Sequence, residues 1–306
     1  MGAEHVPLSP RTLPPTVKLQ RSGLQLPRLG FGVYQSKQPL ASTAGALAMG
    51  YRHIDSARAY FNEEAVCQAV SKFLQTGQPS SSNQDTTGTE VNNSGNGPVW
   101  LTTKVMGKEH GTEETRRAVE ESMKVAGEFG LKWDLYLLHD PTAGRTKRIE
   151  AWKALIEARD AGKIKAIGVS NFSEKHLEEL KSEGLETPDV NQIELHPFCQ
   201  QKPIVEYCKK EGIVVEAYCP IMRGQKYDTP ALVKLCEKHS ATPAQILLRW
   251  SLQKGFVPLP KSDTLHRIEE NKDLEGFELD EGDMRELDGL DQGREGAVSW
   301  NPVDHE

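Results

Sequence analysis

WDLYLLH (133–139), RIEAWKALIEARDAGK (148–163) and IKAIGVS (164–170) decide the fold. The outer two are short apolar runs of strand length, and the middle one carries its apolar residues at helical spacing. A strand, a helix and a strand in that order form a crossover unit, which lays its strands parallel. Outward from this unit the rhythm repeats. Strand candidates precede it at LGFGVY (29–34), HIDSA (53–57) and VWLTTKV (99–105), and follow it at VNQIEL (190–195), IVVEAY (213–218) and FVPLP (256–260). Helix-period segments such as SEKHLEELKSEG (173–184) separate them. Thr242-Pro243-Ala244-Gln245 reads as a capping box with proline at the first helical position.

Eight such units, with no Pro/Gly/Ser linker near the middle, predict one α/β domain over residues 1–306: a (β/α)8 TIM barrel rather than two smaller α/β domains. VKLQRSGLQLP (17–27) adds a short N-terminal hairpin, and the residues beyond the last strand and helix form a C-terminal extension. One segment breaks the rhythm. TGQPSSSNQDTTGTEVNNSGNGP (76–98) is almost purely polar and cannot bury enough apolar surface to offset its ordering entropy, so a mobile loop insertion is expected there. Its sequon, Asn92-Asn93-Ser94, reads as chance on the expectation that the chain takes no secretory route.

Composition narrows the function. The net charge of −7, with no run of more than two or three Lys/Arg, argues against nucleic acid or a membrane surface as partner. No stretch approaches eighteen apolar residues, so no membrane span is expected. MGAEHVPLSPRTLPPTV (1–17) lacks the apolar region of a signal peptide, and its myristoylation-like start has Val6 where Ser or Thr is required. The five cysteines (Cys67, Cys199, Cys208, Cys219 and Cys236) are odd in number and scattered without a CxxC, which argues against a disulfide framework or zinc site. The expectation is a soluble cytoplasmic protein without a metal, as a monomer or dimer.

In a parallel barrel the C-terminal ends of the strands share one mouth, so polar residues there are candidates for chemistry. Asp55 ends the second strand and Tyr60 follows in its loop, Lys104 is near the end of the third, and His139 ends the fourth. Ser170 and Asn171 end the fifth strand, Gln192 and Glu194 lie in the sixth, Tyr218 ends the seventh, and Lys261 and Ser262 end the eighth. A lysine and an aspartate within apolar strands are each costly alone, but satisfy one another as a pair. A tyrosine beside that lysine is expected to have its pKa lowered, and with a nearby imidazole it can give a proton to a carbonyl oxygen. Singly, each residue has an ordinary explanation: Tyr60 as packing, Asp55 as a turn former, His139 as a core histidine, Lys104 as a snorkelling side chain. Their arrival at one edge of successive strands favours the functional explanation.

Most of these residues sit in three separated signatures, GYRHIDSARAYFNEEAV (50–66), KIKAIGVSNF (163–172) and LPKSDTLHRIEEN (259–271), with LLHDP and NQIELHP in support. Through them the chain resembles the aldo-keto reductases from about Val17 to Pro302. The resemblance implies a nicotinamide cofactor held on the barrel without a Rossmann fold, and no GxGxxG follows a strand here. It implies Tyr60 as general acid tuned by Lys104 and Asp55, with His139 orienting a small-molecule carbonyl substrate. Ser170, Asn171 and Gln192 match the positions that hold the carboxamide, and Tyr218 the one that stacks on the ring. Lys261, Ser262 and Arg267 match the clasp on the adenosine 2′-phosphate, with Glu270 and Asn271 near the adenine. Cationic and hydroxyl donors suit a phosphate dianion, favouring NADPH over NADH. The pattern departs at Tyr34, near Met106 and at Asp140, where the family often has tryptophan in the substrate pocket, and at Cys219, where serine is usual.

Two rivals remain. A metal-dependent barrel hydrolase, suggested faintly by HID (53–55), needs several His or carboxylate ligands at strand ends, where lysine and tyrosine dominate instead. A non-catalytic nicotinamide-binding or structural protein on the same barrel need not keep Asp55, Tyr60, Lys104 and His139 together.

Overall fold

Alternation along the barrel strands sorts side chains into an inner and an outer set. The computed structural model describes residues 13–76 and 98–306. The hairpin is β1 (Thr16–Lys18) and β2 (Gln25–Pro27), paired antiparallel. Eight parallel strands follow: β3 (Phe31–Gly32), β4 (His53–Asp55), β5 (Trp100–Val105), β6 (Leu135–Leu138), β7 (Ala166–Ser170), β8 (Val190–Glu194), β9 (Val214–Tyr218) and β10 (Val257–Pro258). Each pairs with the next. The sheet closes on itself where Gly30 N donates to Pro258 O at 3.1 Å and Gly32 N to Pro260 O at 3.0 Å. Glycine suits this seam, since a Cβ on Gly30 would lie 2.8 Å from Nδ1 of the buried His53 ring as well as 2.4 Å from the Leu259 side chain.

Tyr136, Leu138, Ile167, Val169, Ile193, Val215 and Ala217 point outward and pack with helix residues such as Trp152, Leu155, Leu177 and Trp250. Trp152 and Leu155 lie in the helix Arg145–Asp160, the crossover helix of the deciding unit. The inner set is apolar at one end. Trp100, Leu135, Ala166, Val190, Val214 and Val257, each the first residue of its strand, cluster with Leu19 and Leu26 of the hairpin. The hairpin thus plugs the N-terminal end of the barrel, each fully buried leucine contributing roughly 1.5–3 kcal/mol. Toward the other end the inner positions turn polar, at Asp55, Lys104, Gln192 and Glu216, all buried. The apolar plug therefore leaves the opposite mouth for chemistry.

The expected capping box forms at the start of the helix Pro243–Gln253: Gln245 N donates to Thr242 Oγ1 at 3.3 Å and Thr242 N to Gln245 Oε1 at 2.9 Å. The C-terminal extension includes the helix Glu281–Asp288 and a tail that returns to the barrel mouth. The polar insertion expected at 76–98 lies outside the described residues except for its flanking Thr76 and Pro98, and so do its sequon and the myristoylation-like start.

Candidate active site

The buried charges at the barrel mouth form one network. Lys104 Nζ donates to Asp55 Oδ1 at 2.6 Å and to Ser56 O at 2.7 Å, and its side chain is fully buried. Neighbouring registers put the pair there: Asp55 sits opposite Thr102, two residues before Lys104. Asp55 Oδ2 accepts a second hydrogen bond from Gln192 Nε2 at 2.9 Å. One ammonium, one carboxylate and an amide thus satisfy one another where isolated charges would be prohibitive.

Tyr60 is in the short 3-10 turn Arg58–Tyr60 after β4, with its ring 5.0 Å from Lys104 Nζ and its hydroxyl 3.3 Å from His139 Nε2. The Tyr34 ring packs on it at 4.9 Å. One expectation needs correction: Lys104 does not lower the tyrosine. Burial first, and then the Asp55 charge, push its hydroxyl well above the usual phenol range. The physical reason is that the ammonium's charge is already matched by Asp55 at hydrogen-bond distance. Tyr60 is accordingly a neutral phenol, the form that can donate a proton. Burial, followed by Lys104 and His110, holds His139 well below the usual histidine range, so its imidazole is neutral.

These groups lie at one end of a cavity of about 1060 Å³. Ser170, Asn171 and Gln192 form its wall, with Ser170 Oγ donating to Gln192 O at 2.8 Å and Asn171 Nδ2 to His139 O at 3.1 Å. Asn171 has φ 61°, a left-handed conformation that asparagine tolerates better than most side chains. The Tyr218 hydroxyl has two acceptors for its one proton, Asn171 Oδ1 at 2.8 Å and Trp300 O at 2.9 Å. Lys261, Ser262, Arg267, Glu270 and Asn271 line the same cavity. Tyr34 and Met106 also line the cavity.

Asp140 does not, which corrects its reading as a pocket residue. It is fully buried behind the mouth, where Oδ2 accepts from Gly107 N at 2.8 Å and Oδ1 from Thr142 N at 2.9 Å. A short carboxylate that can fold back on nearby backbone N–H groups turns inward at a strand end.

Some lining residues were not nominated from the sequence. Trp300, 53% exposed, reaches the cavity on the tail, beyond any periodic segment. Arg223 lies in the loop after β9 and donates to Gln35 Oε1 at 2.8 Å from across the cavity. Glu216, behind the wall, carried a signal that went unused: a carboxylate in the apolar run IVVEAY.

Residues 28–292 match the family model described as the aldo/keto reductase family. The chain is 39% identical to a glyoxal reductase of Bacillus subtilis over 96% of its own length and 98% of the relative's. It is 38% identical to a methylglyoxal reductase of Escherichia coli, covering 92% and 95%. A crystal structure of an aldo-keto reductase of Bombyx mori in complex with NADP matches with a TM-score of 0.79 at 29% identity, covering 95% of this chain and 96% of that one.

Proposed function

Because the chain belongs to the aldo/keto reductase family, we infer that it reduces small aldehydes or ketones to alcohols with NADPH, using Tyr60 as the proton donor. The observation that carries the reading is the Tyr60 hydroxyl 3.3 Å from a neutral His139 in the wall of the cavity, beside the Lys104–Asp55 pair.

The residues present fit a nicotinamide dinucleotide phosphate. One cavity is lined both by the amide and hydroxyl groups of Ser170, Asn171 and Gln192 and by the cations Lys261 and Arg267, the groups that a carboxamide and a phosphate require. Ser170, Asn171 and Gln192 would hold the carboxamide, with Tyr218 against the ring. Lys261, Ser262 and Arg267 would hold the 2′-phosphate, with Glu270 and Asn271 beside the adenine. When bound, the reduced nicotinamide supplies the hydride. Tyr60 Oη and His139 Nε2 converge on the place where a carbonyl oxygen would sit. The imidazole orients that oxygen and Tyr60 delivers the proton as negative charge develops there. Lys104, with its Nζ 5.0 Å from the Tyr60 ring and its charge paired with Asp55, keeps that ring in place.

The cytoplasmic setting and monomeric or dimeric state expected from the sequence belong to the same proposal. No helix among the described residues is long and apolar enough to cross a membrane. The test is loss of NADPH absorbance with a panel of aldehydes, ketones and sugars headed by methylglyoxal and glyoxal, for which the two relatives are named. Turnover that Tyr60→Phe abolishes is expected. Cofactor binding without turnover of any member would instead support a non-catalytic binding protein.

A further inference from the structure

Glu216 is a fully buried carboxyl group that the reaction above does not use. It lies on β9 directly opposite Gln192 on β8, beneath the wall that would hold the carboxamide. Gln192 Nε2 donates to Glu216 Oε2 at 2.7 Å and to Asp55 Oδ2 at 2.9 Å, so both amide hydrogens are spent on carboxyl oxygens. The other Glu216 oxygen, Oε1, has no hydrogen-bond partner among the described residues. The nearest basic nitrogen, His53 Nε2, is 3.7 Å away and is itself bonded to Thr102 Oγ1 at 3.0 Å. A carboxyl this deep is costly, and its hydrogen bond to Gln192 is what it provides in return.

We propose that Glu216 is a positioning residue: with Asp55 it locks the Gln192 amide so that Oε1 faces the cavity as an acceptor for the N–H of the nicotinamide carboxamide. The inference rests on the nicotinamide reading above. Turning the amide over would set Gln192 Oε1 against the Asp55 carboxylate and lose the bond that fixes its plane. With Asp55 alone as acceptor, one amide hydrogen would be unpaired and a single hydrogen bond would hold the last torsion, leaving it more freedom than two bonds allow. Glu216 removes that freedom, and preorganised hydrogen-bond partners bind more tightly because less ordering remains to be done. Burial raises the Glu216 carboxyl toward its neutral form, which still presents an acceptor oxygen and adds no second negative charge beside Asp55.

The test is to titrate the full-length protein by quenching of tryptophan fluorescence. NADPH is compared with its reduced 3-acetylpyridine analogue, in which a methyl ketone replaces the carboxamide and no N–H remains. Glu216→Ala is expected to weaken NADPH about fivefold to tenfold, the worth of one hydrogen bond, and the analogue by about twofold at most. Glu216→Gln keeps an acceptor toward Gln192 and should hold NADPH within about twofold of wild type. Should Glu216→Ala not fold, Glu216→Met fills the volume without an acceptor and answers the same question. Equal weakening of both cofactors would make Glu216 structural, and unchanged NADPH affinity would remove it from the site; either overturns the proposal. Wild type that binds neither compound would overturn the nicotinamide reading itself, a different result from both.

Discussion

Lys104 Nζ lies 2.6 Å from Asp55 Oδ1 with both side chains shut away from solvent, and this pair forms the floor of the candidate active site. Its removal should therefore register in folding as well as in chemistry. Lys104→Met leaves Asp55 without its cation and close to the Glu216 carboxyl. Orphaning one partner of a buried pair costs about 3–5 kcal/mol, so the denaturant midpoint should drop sharply and NADPH oxidation should cease. Adding Asp55→Asn removes the unpaired charge and should return part of the stability without returning activity. A single variant as stable as wild type would show that the pair is not the buried unit described.

Tyr60→Phe separates the proton from the ring. The ring that packs on Tyr34 stays, while the hydroxyl 3.3 Å from His139 Nε2 is lost. General acid catalysis is worth about 10²–10⁴-fold, and kcat should fall by at least that order. Cofactor affinity, read by fluorescence titration, should hardly move. Near-normal turnover would remove Tyr60 as the acid.

Glu216 gives a pH dependence whose sign can be worked out. Its carboxyl is pushed up to about 8 by burial first and then by the Asp55 charge, with Gln192 and Lys104 acting in the opposite direction. An unfolded glutamate titrates near about 4.3. Between those values the folded chain holds a proton that the unfolded chain has released, so stability falls as pH rises through that window. His53 faces the same carboxyl and is held neutral down to about 3 by burial, which makes stability rise with pH below the ordinary histidine value. Comparison at pH 7 and pH 9 avoids that opposing change. Glu216→Gln should gain thermal stability relative to wild type between the two. A constant difference between the melting temperatures would show that Glu216 does not titrate in this range.

The barrel was legible because its strands alternate so regularly with helices, yet every strand was read as longer than it is, and the first and last of the barrel most of all. LGFGVY keeps only Phe31–Gly32 in the ladder and FVPLP only Val257–Pro258. Proline lacks a donor and glycine serves close approach at the seam, so the ladder there is short. The strand residues expected at the barrel mouth could be placed there by position alone. Asp140 was misplaced because its position one residue after His139 does not fix which way a turn bends a side chain that can bond to its own backbone. Glu216 was passed over because an acid within an apolar strand matters only through its cross-strand neighbour, and the pairing with Gln192 is a matter of register. Trp300 was out of reach for a related reason. Nothing local says that Tyr218 binds its carbonyl oxygen.

Cofactor selectivity is where the structure sharpens the electrostatic argument. Lys261 and Arg267 both line the cavity, but they are not equivalent. Lys261 Nζ donates to Asp263 Oδ2 at 2.7 Å, and Asp263 is held in turn by Ser36 and by the Lys37 backbone N–H. The lysine's charge is thus shared before any phosphate arrives. Arg267, exposed in the short helix Leu265–Glu270, has no ion pair among the described residues, and its guanidinium can meet a phosphate through two parallel hydrogen bonds. Arg267→Ala should weaken NADPH binding by one to two orders of magnitude, roughly 1.5–3 kcal/mol for a charge-assisted contact. Lys261→Ala should cost less, because it also releases Asp263 from its partner and leaves Arg267 in place. NADH, which has no 2′-phosphate, should bind the Arg267 variant as it binds wild type. Titrating both cofactors against wild type and the two variants by tryptophan quenching decides the matter. If NADH and NADPH weaken alike in Arg267→Ala, the arginine supports the helix rather than the phosphate, and selectivity must come from elsewhere.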